Sequence, residues 1–190
     1  PFCYTSAPIA FYTLPRTLRA ELVLLALLYL IATPAARLLW LVAPADLLRY
    51  LAVAGAVGVA HLLLALRHAP DNRAEADSTV WPTVGLANWL TLLRGILITL
   101  VAGFIAVPTV AATGWTVALL YTAAALIDIL DGLVARLTHR QTVFGAQLDM
   151  AYDALGLLIV VAVGIALGDL PIWFILVGLA RYLYVALLAA

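Results

Sequence analysis

The chain has 190 residues, of which 66% are apolar and only 11% charged, and its formal net charge is zero. So few charges cannot coat a water-soluble domain of this length, which makes lipid the solvent, and the balanced charge gives no basic footprint for nucleic acid. One cysteine, Cys3, permits no internal disulfide.

Apolar runs recur at 21–43, 47–66, 89–107, 114–135, 146–168 and 171–189. Each is near the ~20 residues that a helix needs to cross ~30 Å of hydrocarbon. None alternates with the period of barrel strands, and only helices or closed barrels satisfy their backbone groups in lipid. The expected fold is therefore all-α, a polytopic helical membrane protein with about six transmembrane helices. The chain opens "PFCYT" and stops within "YVALLAA", as expected of a piece of a longer protein.

Arg16 and Arg19 precede the first run. "VLLALLYLIA" followed by "TPAA" also has the form of a signal peptide with a small-residue cleavage site, but "LLWLVA" resumes the apolar run and favours a span. Arg37, near the outer end of that span, can snorkel to the interface. Asp46 and Arg49 sit at the turn to the second run, where His61 stands alone. A lone histidine on an apolar helix is expected to be a packed side chain bonded to a neighbouring backbone group. The polar stretch "RHAPDNRAEADSTVWPT", 67–83, is a loop that divides the chain. Residues 1–78 then form an N-terminal two-span hairpin and loop of unassigned role, and 79–190 a second unit. Trp81 and Trp89 flank the third run, and Tyr182 and Tyr184 lie near the inner end of the last; all four are expected at interfaces. With the N-terminus inside, Arg16, Arg19, Arg67, Arg73, Arg136 and Arg140 fall on the cytoplasmic side, and the outer loops hold only Arg49, as the positive-inside rule asks.

The fourth and fifth runs carry the chemistry. "DILDGLVARLTHRQTVFGAQLDMAYD", 128–153, places four acids at the ends of two greasy segments. Asp131 and Asp128 lie about 7 and 12 Å back from the inner end of one helix, and Asp149 and Asp153 about 6 and 12 Å up the next. At 100° per residue each pair shares one face, so two acidic faces at one depth can point at each other. A charge at the bilayer centre costs ~2.5–3.5 kcal/mol, so four could cost on the order of 10 kcal/mol without compensation. Divalent metal suits an all-oxygen, all-Asp set: Mg²⁺ or Mn²⁺, rather than Zn²⁺. Two such ions form a known clamp for phosphoryl displacement. Bare backbone at Gly132 and Gly145 would let a bulky phosphate or nucleotide approach. The bland alternative is a set of ion-pair staples between these acids and Arg94, Arg136 and Arg181. It explains one or two acids better than two pairs at matched depth.

"DILDGLVAR" followed by "FGAQLDMAYD" resembles the signature D-x-x-D-G-x-x-A-R-x8-G-x-x-x-D-x-x-x-D of the CDP-alcohol phosphotransferases. All eight fixed positions match, at Asp128, Asp131, Gly132, Ala135, Arg136, Gly145, Asp149 and Asp153. "NWLTLLR", Asn88 to Arg94, resembles the N-x-L-T-x-x-R start of that family's first core helix, so the likeness covers about 82–189. The resemblance implies transfer of a substituted phosphate from a CDP-linked lipid donor, usually CDP-diacylglycerol, to an alcohol acceptor with release of CMP, in phospholipid biosynthesis. It implies that Asp128, Asp131, Asp149 and Asp153 hold two divalent cations against the donor diphosphate, and that Asp153 is also the base. Gly132, Ala135, Arg136 and Gly145 would line the nucleotide site, with Asn88, Thr91 and Arg94 close by. Arg94 is as well suited to pair with a motif acid, and Arg181 either meets an anionic acceptor or pairs with acid.

That family's core usually has six spans. Only four follow the 67–83 loop, so a core truncated at the C-terminus is expected, with the hairpin as an extra. The resemblance further implies a bacterial inner-membrane protein with a cytoplasm-facing site; a second copy of the chain is a further candidate partner. The rival is an ion-coupled transporter with a buried acidic cation site, for which repeated, broken helices would be expected.

Overall fold

The structure, a computed structural model, describes residues 11–38, 42–76, 78–107 and 111–189. Its α-helices are α1 (Arg16–Leu38), α2 (Leu47–His68), α3 (Leu86–Gly103), α4 (Ala111–Leu137), α5 (Val143–Ala166) and α6 (Ile175–Ala189). Among the described residues, five segments are long and apolar enough to cross a membrane: Arg16–Ala36, Pro44–Asp71, Leu86–Ala106, Gly114–Leu137 and Val143–Ala166.

The sixth expected span is shorter than its hydropathy suggested. Gly168, at a φ of 81°, turns the chain after α5, and Pro171 leads into a 3-10 turn at Ile172–Phe174, which leaves α6 only 15 residues. The first helix starts earlier than expected, at Arg16 rather than at residue 21. Charged residues at an interfacial end do not interrupt backbone hydrogen bonding. The residues of "TPAA" lie within α1, with Pro34 inside the helix; lipid-embedded helices tolerate such a proline where neighbours re-satisfy the backbone. The side chain of Arg37 lies outside the described residues.

Helix α3 is the hub. It packs against α1, α2, α4 and α5, and buries more than half of its circumference, including Leu92, Ile98, Val101 and Ala102, while Leu86 and Leu93 on the remaining face are exposed. By contrast, α4 and α5 both lean on α3 and scarcely touch each other, while α6 packs on α5. A gap between α4 and α5 follows directly.

The hairpin is fastened to this hub by polar links. Glu21 accepts from the backbone N–H of Val84 (2.6 Å) and from Trp89 Nε1 (3.4 Å), and Thr17 donates to the Pro82 carbonyl. Tyr50 donates to the Leu100 carbonyl at 2.9 Å. Trp89, expected only as an interfacial aromatic, therefore also ties α3 to α1.

The polar stretch after α2 is indeed non-helical beyond a 3-10 turn at Ala69–Asp71. Asn72 organises it, its Nδ2 donating to the carbonyls of Trp81 (3.1 Å) and Thr83 (2.9 Å). The stretch ends at Gly85, whose φ of 87° is left-handed and suits glycine, just before α3. Arg140, in the turn between α4 and α5, donates to the Thr83 carbonyl (2.9 Å) and hydroxyl (2.7 Å) and stacks 5.0 Å over Trp81. The α4–α5 turn is thus pinned to the start of α3.

Candidate active site

Helix α4 stays regular through Asp128 and Asp131, and α5 through Asp149 and Asp153. The discontinuous helices that the transporter alternative asks for are absent from both.

The start of α5 is set by Thr142. Its hydroxyl caps the helix by accepting from the Gly145 N–H at 2.9 Å, and also accepts from Asn88 Nδ2 at 2.8 Å. Asn88 Nδ2 further reaches the Val84 carbonyl (3.0 Å) and Asn72 Oδ1 (3.4 Å). A Cβ at Gly145 would collide with Asn88 Oδ1. Bare backbone at 145 therefore lets α5 close onto α3, and Asn88 is a buried clamp between them. At Gly132 the situation differs: apart from the backbone of its own helix, the Arg136 guanidinium one turn along α4 is what stands near, 3.6 Å from where a Cβ would be. Ala135 is half-buried and Arg136 exposed, close to the end of α4.

Three carboxylates converge. Asp128, Asp131 and Asp149 each present an oxygen within 4.8 Å of the others. Asp131 is buried and accepts from the Thr91 hydroxyl at 2.7 Å, so its charge is oriented from α3. Asp128 and Asp149 are half-exposed. Asp153 is more open, with its side chain 52% exposed, and lies outside the group of three.

Arg94 joins all but Asp131 directly. Its guanidinium, only 3% exposed, pairs with Asp128 through Nη1 and with both Asp149 Oδ1 and Asp153 Oδ1 through Nη2, each at 3.1 Å. Nη2 also donates to the Asp149 carbonyl at 3.1 Å. Of the two roles the sequence offered for Arg94, pairing with the motif acids is the one seen here. Arg181, exposed on α6, is near enough to act electrostatically on Asp153. Beside the acids lies a cavity of about 100 Å³, walled by Arg94, Asp128, Tyr121, Tyr152, Asp153 and Gly156.

A family model for the CDP-alcohol phosphatidyltransferases matches residues 84–190, more than half of the chain. The chain belongs to this family. No curated protein and no solved structure matches it. The match starts at Val84, the residue bonded to Glu21, so this phosphatidyltransferase carries α1 and α2 outside the family region. The family implies a CDP-linked donor and an alcohol acceptor, and its members typically use divalent cations. The donor set here fits such a cation: three carboxylates in hard-oxygen array, one buried and hydrogen-bonded, two half-open.

Several residues of the site were not singled out in the sequence. Thr142 and Asn72 looked like ordinary loop residues, although "TVFG" has the form of a helix start with threonine at the cap. Tyr152, between two motif acids, gave no signal of its own.

Proposed function

We propose that this phosphatidyltransferase moves a phosphatidyl group from a CDP-diacylglycerol-type donor to the hydroxyl of an alcohol, releasing CMP. The acceptor oxygen bonds to phosphorus, the bond from phosphorus to the CMP oxygen breaks, and the acceptor proton passes to a carboxylate. The observation that carries this is the convergence of Asp128, Asp131 and Asp149 from two helices onto one spot beside a cavity.

Asp153 is the base in this proposal. It lies one turn beyond Asp149 on α5, outside the close group of three, and it walls the cavity where a hydroxyl could approach. Two Mg²⁺ or Mn²⁺ ions held by Asp128, Asp131, Asp149 and Asp153 would neutralise the donor diphosphate. Thr91 holds and aims the Asp131 carboxyl. Gly132, Ala135 and Arg136 offer an open stretch of α4 to the nucleotide, while Asn88 and Gly145 shape the site by holding α5 against α3. Arg181, close enough to act on Asp153, would meet a negatively charged acceptor in this reading. The arginine distribution supports a site that faces the cytoplasm, and the reading assigns the protein to phospholipid biosynthesis in a bacterial inner membrane.

The test is release of CMP from CDP-diacylglycerol by the purified protein with Mg²⁺ or Mn²⁺ and a panel of acceptors: glycerol phosphate, serine, inositol phosphate. Mass spectrometry of the lipid product names the acceptor. No CMP with any acceptor or with either metal would overturn the proposal.

A further inference from the structure

The N-terminal hairpin reaches the catalytic residues through a buried polar cluster. His61 on α2 is fully buried, and its Nδ1 lies 3.0 Å from the Thr99 hydroxyl on α3. The backbone of Gly95 also lies at the ring, the kind of partner expected for His61. The hydrogen bond at Nδ1 in addition crosses to a side chain of the next helix. Its ring packs against Tyr152 of α5, with centroids 4.4 Å apart, and 6.2 Å from Tyr29 of α1. The phenol oxygens of Tyr29 and Tyr152 act on one another there without a well-formed hydrogen bond.

Both tyrosines press on one point of α3. A Cβ at Gly95 would lie 2.7 Å from Tyr152 Cε2 and 2.8 Å from the Tyr29 hydroxyl. Gly95 follows Arg94, and Tyr152 precedes Asp153. Tyr152 also walls the cavity on its other side. One ring therefore separates the hairpin cluster from the acids, and each half of the cluster is one residue from the Arg94–Asp153 pair.

We infer that His61 and Thr99 are positioning residues: by fixing the Tyr152 ring they set the rotation of α5 and hence the placement of Asp149 and Asp153 opposite α4. The hairpin is then part of the catalytic framework rather than an appended anchor. This rests on the proposed phosphatidyl transfer for its turnover readout, and on the acidic group alone for its binding readout. Outer-shell partners of metal ligands typically change affinity or activity by ~10–100-fold when removed.

The experiment compares His61→Phe, and independently Thr99→Val and Thr99→Ser, in the full chain. Mn²⁺ binding is measured by paramagnetic resonance and CMP release as separate kcat and KM. Phe keeps an aromatic ring and Val keeps the shape, but both lose the hydrogen bond; Ser keeps the hydroxyl. Expected are a ~10–100-fold fall in Mn²⁺ affinity and kcat for Phe and Val, KM for the acceptor within about threefold, and substantial recovery in Ser. Wild-type Mn²⁺ affinity and kcat in folded Phe or Val variants would overturn the inference. So would a loss in Thr99→Val that Thr99→Ser fails to relieve. If His61→Phe does not insert, the Thr99 pair decides alone. If wild-type protein releases no CMP, the reaction proposal fails but the Mn²⁺ comparison still decides the positioning role.

Discussion

Thr91 and Asp131 form the tightest-buried polar pair of the site, a 2.7 Å hydrogen bond between α3 and α4 with both residues buried. A buried carboxylate stripped of its donor bears a desolvation penalty of ~1–3 kcal/mol or more. We predict that Thr91→Val lowers Mn²⁺ affinity and CMP release by roughly 10–100-fold, while Thr91→Ser, which keeps the hydroxyl, stays within a few-fold of wild type. Equal Mn²⁺ titrations for Val and wild type would show that the hydrogen bond does not orient Asp131.

Asp153→Asn separates base from ligand. Asn keeps the volume and one oxygen but cannot take the proton of an attacking hydroxyl. General-base catalysis is typically worth ~10²–10⁴-fold, about 3–5 kcal/mol. We predict a loss of that order in kcat, with donor binding and membrane insertion unchanged. Wild-type turnover in the Asn variant would remove Asp153 from the role.

Chelation tests the all-oxygen site. We predict that exhaustive chelation abolishes CMP release, that Mg²⁺ or Mn²⁺ restores it, and that the Asp131→Asn variant cannot be restored at the same metal concentration. Full activity in chelator would end the metal account.

The clamp at the start of α5 is a stability prediction. Because a Cβ at residue 145 meets Asn88 Oδ1, Gly145→Ala displaces the Asn88 side chain from its hydrogen bond to Thr142 or pushes α5 away from α3. Overpacking of this kind costs ~1–3 kcal/mol. Thr142→Ala removes the cap and Asn88's partner, for a loss of ~0.5–2 kcal/mol. Both should melt below wild type in detergent. A Gly145→Ala protein with an unchanged midpoint would mean that α5 is free to shift.

How much of this was visible in the sequence depended on what kind of information each feature needs. Helices α2 to α5 followed from run length and hydropathy, because lipid demands long apolar segments. Convergence of Asp128, Asp131 and Asp149 followed from spacing across one short turn, where helix geometry alone fixes depth and face. The shortened α6 was hidden because the residues of its 3-10 turn, Ile172–Phe174, are as apolar as a helix. The pairing of His61 with Thr99 was hidden for another reason. It depends on how α2 and α3 are rotated about their own axes, and helices that are apolar nearly all round carry little periodic signal to say so. Asn88 was visible as a motif residue, but not that it would bind Thr142 and Asn72, since that needs the fold of the loop between them.

Glu21 has a consequence for how the protein is made. Its two partners, Val84 and Trp89, lie 63 and 68 residues further along the chain. A ribosome feeding the membrane delivers the acid of the first helix long before anything exists to receive it. Until α3 arrives, the lowest-energy place for that carboxylate is the water-facing end of its helix. The contacts that fasten Glu21 to α3 can therefore form only after Val84 and Trp89 have been made. Docking of the first helix through this acid has to follow synthesis of the start of the catalytic core.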